Sequence, residues 1–212
     1  MFESPLSKHA GPIAAIAGGF FAVIHVGQFL AMDRSDLVAM VADPVSQVFG
    51  VGYFVAFPFL AIALAALYVR QAGRAGLFGA VAFCAALVGT MALAGDMWFE
   101  GLAVPWVVGN APELVAAERG GLLWAGWLVS VVLFALGWIL FGLASWRARV
   151  LPRWLSIAVA IGGLLGFFAA MPPWGLALGL AVAAVGVWLI RQDRTVRAVE
   201  AAPAPVPVAE PR

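Results

Sequence analysis

Six stretches of this chain contain no Asp, Glu, Lys or Arg: about Pro12–Met32, Val48–Val69, Ala75–Gly95, Leu122–Ala144, Leu155–Met171 and Trp174–Ile190. A helix needs roughly 20 apolar residues to cross the ~30 Å hydrocarbon layer of a bilayer. Backbone in lipid must also satisfy its own hydrogen bonds, which leaves helices or closed barrels as the spanning structures. Runs this long and this free of charge predict helices. The composition agrees: 64% of the 212 residues are hydrophobic and 11% are charged, with mean hydropathy +1.02. A soluble domain is closer to about 45–50% apolar and about 25% charged. The expected fold is all-α, a polytopic transmembrane bundle of six spans occupying residues 12–191. Residues 1–11 precede it as a short segment. Residues 192–212 follow as a tail whose run Ala-Pro-Ala-Pro-Val-Pro predicts extended, disordered chain. The first apolar run is too long for a signal peptide and has no clear small-residue cleavage site before Asp33, so it is read as a retained span.

Charge placement predicts the orientation. Lys8, Arg70, Arg74, Arg147, Arg149, Arg153, Arg191, Arg194 and Arg197 fall on one side of the six spans. The other side carries Arg34 and Arg119 among Asp33, Asp36, Asp43, Glu113 and Glu118. The positive-inside rule puts the first side, and both termini, in the cytoplasm. Tryptophans gather toward both expected interfaces: Trp98, Trp106, Trp124, Trp127 and Trp174 outside, Trp146, Trp154 and Trp188 inside. Arginine outnumbers lysine eleven to one beside heavy Ala, Gly and Val use. That balance matches a high-GC bacterium and places the chain in a bacterial cytoplasmic membrane.

Local signals shape the connections. Ser35 is expected to cap a short helix over Asp36–Ala42, stopped by Asp43-Pro44. Asn110 is expected to cap another, with Pro112 and Glu113 in its first turn and Gly120-Gly121 at its end. Both are surface connectors, and either can serve as a lid. Pro58 should kink the second span. The spacings Gly162-x-x-x-Gly166 and Gly175-x-x-x-Gly179 let helix backbones approach closely, within the chain or in an oligomer formed through spans five and six.

Polar side chains inside such spans are the natural candidates for function, because hydrocarbon penalises them. His25 and Gln28 lie three apart and share a face of the first span. Asp96 and Glu100 lie four apart and share a face at the end of the third. Both spans run outward, so all four belong to the outer half. Converged, they would form a pocket able to exchange protons, with Asp96, Glu100 and His25 as acid–base groups and Gln28 as a ligand contact. Trp98, Phe99 and Trp106 are expected to give that pocket apolar walls for a lipid-soluble small molecule. The alternative for each is a neighbourly hydrogen bond or an ordinary place at the interface.

Other chemistry is disfavoured. Cys84 is the single cysteine, which excludes an intramolecular disulfide and a cysteine-cluster metal site. One histidine beside two acids is an incomplete metal set, and His9 lies on the wrong side to pair with His25 on a haem. No metal and no cofactor are expected. No Walker loop, dinucleotide turn or Ser/His/Asp set is present. Net charge +1 gives no electrostatic case for nucleic acid. Spans two, four, five and six are too poor in polar groups to line a through-going ion path, although proton-linked transport by an oligomer stays open.

Three motifs carry a resemblance: the His25-bearing first span, Gly95-Asp-Met-Trp-Phe-Glu-Gly-Leu-Ala-Val-Pro105, and Leu151-Pro-Arg-Trp-Leu155. The pattern, over about Gly11–Arg191, resembles the small six-span membrane proteins of unknown function that are frequent in high-GC bacteria. It also resembles, more faintly, the integral-membrane terpene cyclases. That likeness implies an isoprenoid-like substrate, protonation by Asp96 or Glu100, and aromatics such as Trp98 stabilising a cation. A non-catalytic accessory protein is the competing class.

Overall fold

The computed structural model describes residues 5–114, 120–169 and 171–200. Every regular element among the described residues is helical. A single turn, Pro5–Lys8, leads into α1, Ala10–Ala31. Then follow α2, Leu37–Ala42, and α3, Pro44–Trp98. A π-helical turn over Phe99–Ala103 joins α3 to α4, Val104–Asn110. The last three are α5, Gly121–Ala148, α6, Arg153–Leu165, and α7, Leu176–Glu200. Four stretches are long and apolar enough to cross a membrane: Ala10–Ala31, Pro44–Asn110, Gly121–Ala148 and Leu176–Ala198. Arg153–Phe168 is a shorter apolar helix.

The longest stretch is not one rod. Gly76 interrupts α3 with φ 59 and ψ −161, a region open essentially to glycine alone. Pro58 was the expected kink, yet the backbone stays helical through it and the break falls at Gly76. Neighbouring helices in a membrane-type bundle hold a proline-containing helix together, whereas a positive φ cannot continue a right-handed helix.

The helices close on one another. α1 packs against α3 and α7, α3 against α5, α5 against α6, and α6 against α7. Small residues set the spacing. A side chain at Gly179 would meet the Ala22 backbone nitrogen at 2.8 Å and the Gly18 carbonyl at 2.9 Å. At Gly162 it would meet Leu178 Cα at 2.7 Å, and at Gly166 the Phe134 ring at 2.9 Å. Both four-residue glycine spacings are therefore used between helices of this chain. Inside, Phe57, Phe134, Trp138 and Phe141 form an aromatic file. The surface stays apolar: Leu122 is 89% exposed and Leu77 81%. Exposed apolar side chains on this scale fit a lipid-facing exterior.

At the end where α3 breaks, Arg70 ties three segments. It donates to Asp193 on α7, one bond at 3.2 Å, and to the Ser7 carbonyl at 3.4 Å. α7 continues helically past Arg191 to Glu200, into the segment expected to be disordered; 201–212 lies outside the described residues.

The short connectors correct two expectations. Asp36, not Ser35, caps α2, accepting from the Ala39 N–H at 3.0 Å. Ser35 instead donates its backbone N–H to Asp33 at 2.9 Å, and this bond holds the Asp33 carboxyl below its usual range. Asp43 then caps α3, accepting from Ser46 N–H at 2.9 Å, with Pro44 in its first turn. Asn110 ends α4 and starts no helix. Its side-chain amide donates back to the Trp106 carbonyl at 2.8 Å, and a 3-10 turn over Pro112–Leu114 follows. The rest of that expected helix, 115–119, lies outside the described residues.

Candidate functional site

One end of the bundle gathers the polar side chains. There α1 finishes, α3 begins, α3 and the π-turn return, and α5 and α7 start. Between them lies an open-mouthed cavity of about 450 Å³. Gln28, Arg34, Tyr53, Asp96 and Glu100 line it beside Met32, Met40, Met97, Met171, Trp127 and Trp174. The volume falls within the ~300–1,000 Å³ of small-molecule sites, and apolar walls with a few convergent polar groups are the usual composition.

Each polar group arrives by a local device. Gln28 is in the last turn of α1 on the face that buries Phe21, Ile24 and His25. It is 9% exposed, and its side-chain oxygen has no hydrogen-bond partner. Arg34 stands in the link between α1 and α2. α2 lays Leu37, Met40 and Val41 along the cavity wall, so this short helix covers the site. Asp96 is in the last turn of α3.

Glu100 is placed by the π-turn. There the Val104 N–H bonds the Phe99 carbonyl, five residues back. Pro105 explains the wider turn: it has no N–H to give, and its ring would strike the carbonyl of Gly101 in a regular helix. Single π-turns of this kind recur at functional sites. The same turn lets Gly101 face Gly50, where an added side chain would meet the Gly50 carbonyl at 2.6 Å. Gly50 and Gly101 thus bring the start of α3 against its far end and set the cavity's width.

Gln28, Asp96 and Glu100 therefore meet in one space. His25 does not line it. The ring is fully buried one turn deeper, packed on Phe21 at 4.6 Å and edge-on to Tyr53 at 4.7 Å between centroids. Its link to the cavity is Tyr53, whose hydroxyl lies 3.5 Å from His25 Nδ1. Trp98, Phe99 and Trp106 are not in the lining; Trp98 is half exposed and Trp106 faces outward. The aromatic walls come instead from Trp127 and Trp174. Arg34, Ser46, Gln47 and Tyr53 are the polar lining residues not expected from the sequence. Arg34 was discoverable as a cation on the acid-rich side of the chain. Tyr53 carried no signal beyond its hydroxyl.

No group of three or more His, Cys, Asp or Glu capable of holding a metal occurs among the described residues. Fold and site together define a helical protein of membrane-spanning type with an amphipathic cavity at an end of its bundle. Comparison with protein-family models, with curated proteins and with solved structures finds no match to this chain.

Proposed function

We propose that this chain is a six-span protein of a bacterial cytoplasmic membrane that binds an amphipathic, lipid-soluble molecule in a cavity open at the outer face. The break at Gly76 supports dividing Pro44–Asn110 into two crossings. Sixty-seven helical residues would extend about 100 Å at 1.5 Å each, three times the hydrocarbon thickness. Arg153–Phe168 and α7 supply the last two. Most basic residues fall at the Gly76 end and the acid-rich links at the cavity end, which supports termini inside and the cavity outside.

The observation that carries the binding reading is the cavity's composition. Seven polar residues, Gln28, Arg34, Ser46, Gln47, Tyr53, Asp96 and Glu100, line it among methionines and tryptophans. An apolar body fits the walls and a polar head fits Gln28, Arg34 and Tyr53. Methionine lining adapts to flexible chains. Native mass spectrometry of the protein extracted in mild detergent tests this. A bound apolar molecule of defined mass should accompany the protein and disappear in Met171→Trp and Val41→Trp, which fill the cavity from its wall. Equal retention in the filled variants would sink the reading.

Asp96 and Glu100 in the wall favour a second reading, in which the same site performs acid–base chemistry on its ligand, of the isoprenoid-cyclising or isomerising kind. Trp127 and Trp174 would then flank a developing cation. Incubation of proteoliposomes with a polyprenyl substrate separates the two: catalysis predicts turnover abolished by Asp96→Asn, and binding predicts an unaltered polyprenyl chain.

A further inference from the structure

The cavity is unevenly charged. Three charged side chains line it, Arg34, Asp96 and Glu100, so one guanidinium stands against two carboxyl groups. A second hollow adjoins it and shares Met40 and Ser46 with it. Asp33, Asp36 and Asp43 line that hollow, and no Lys or Arg does. The excess holds over the whole of residues 33–47 and 96–121. They carry Asp33, Asp36, Asp43, Asp96, Glu100, Glu113 and Glu118 against Arg34 and Arg119. Low-dielectric walls around a mouth of one sign focus its field, which draws cations in and keeps anions out.

Two uncharged features of the wall point the same way. Gln28 lines the cavity at 9% exposure, and its buried side-chain oxygen has no hydrogen-bond partner. A buried acceptor left unmet is costly, and a donor brought by a ligand relieves it. Trp127 and Trp174 form the aromatic walls, and tryptophan is the side chain whose ring face attracts a positive charge most strongly. We propose that the ligand's polar head is a single ammonium group, so that the cavity takes a lipid-soluble amine. The inference rests on the cavity reading and names the chemistry of the ligand. An ammonium brings N–H donors for Gln28 and the acids, and its charge suits a wall richer in carboxyl groups than in guanidinium. A carboxylate or phosphate head meets the opposite field.

Dodecylamine, dodecanol and dodecanoate share one chain and differ in charge. Their binding is measured by titration calorimetry on the full chain in nanodiscs of phosphatidylcholine, with empty discs subtracted. The amine should bind about tenfold more tightly than the alcohol, and the carboxylate weakest of the three. The amine's advantage should shrink between about 0.1 and 1 M salt, as the screening length falls from ~10 to ~3 Å. Glu100→Gln should cut that advantage about threefold. Arg34→Gln should widen it; Arg34 is exposed in a link, so this variant keeps the test open where Glu100→Gln fails to fold. Discs containing phosphatidylethanolamine separate two sources of the head: competition with the amine assigns a lipid headgroup, and its absence a free amine. If amine and alcohol bind equally, or the carboxylate binds most tightly, while Met171→Trp still removes binding, the cavity reading stands and this inference is wrong. If Met171→Trp changes the binding of none of the three, both fail.

Discussion

Thr90 and Trp138 are buried in the middle of the bundle, and each answers the other. The Trp138 indole N–H donates to the Thr90 hydroxyl at 3.0 Å, and that hydroxyl donates to the Ala86 carbonyl at 2.7 Å. The chain links α5 to α3 where an unmet polar group would be costly. Trp138→Phe should lower unfolding stability by about 1 kcal/mol, read from denaturation in mixed micelles. Of the site, residue-level reading found what hydrocarbon makes expensive: His25, Gln28, Asp96 and Glu100 stand out because almost nothing polar surrounds them in sequence. Depth was not legible. Three residues separate His25 from Gln28, yet one is sealed below the floor and the other faces the cavity. That difference is set by Tyr53 and Gly175, which lie far away in the chain. Tyr53 is ordinary in any membrane span, and Arg34 is ordinary in any loop, so neither drew notice before the helices were assembled.

Among the elements, α3 is the instructive one. Its sequence offers a proline at 58 and a glycine at 76 as places to bend. The proline is the stronger local signal, but the glycine takes the conformation that only it tolerates. With 24 glycines in the chain, nothing in the sequence singles out this one. Gly76→Val should cost about 1–3 kcal/mol of stability, while Gly73→Ala, three residues earlier and in open space, should cost little. Thermal unfolding of the two variants side by side checks this. The short elements taught a similar lesson. The segment after Asp36 was recognisable as a helix from its cap and stop residues, but Asp36 and Ser35 are both good caps, and only the backbone path decides between them. The π-turn at Phe99–Ala103 follows from Pro105, a residue type that commonly ends or kinks a helix. The helix passes through by widening one turn, and in doing so it turns Glu100 toward the cavity.

For the whole molecule, the helical class and the membrane character were plain in the apolar runs, because their lengths match a bilayer and little else. The cavity was not, since it is made by the ends of five separate segments. The charge asymmetry makes a topological prediction. With Cys84 replaced by alanine, a cysteine at Ser35 should react with a membrane-impermeant maleimide on intact cells, and one at Gly73 should react only after permeabilisation. Reaction of both from outside would undo the six-span arrangement. Ligand binding is the central claim, and a photoreactive diazirine-bearing long-chain alcohol, an amphipathic lipid-soluble probe, tests it most directly. After irradiation in membranes and peptide mapping, the account predicts saturable labelling at Met32, Met97 and Met171, competed away by the unlabelled alcohol. Labelling confined to lipid-facing positions such as Leu77 and Leu122, rising without saturation, would contradict it.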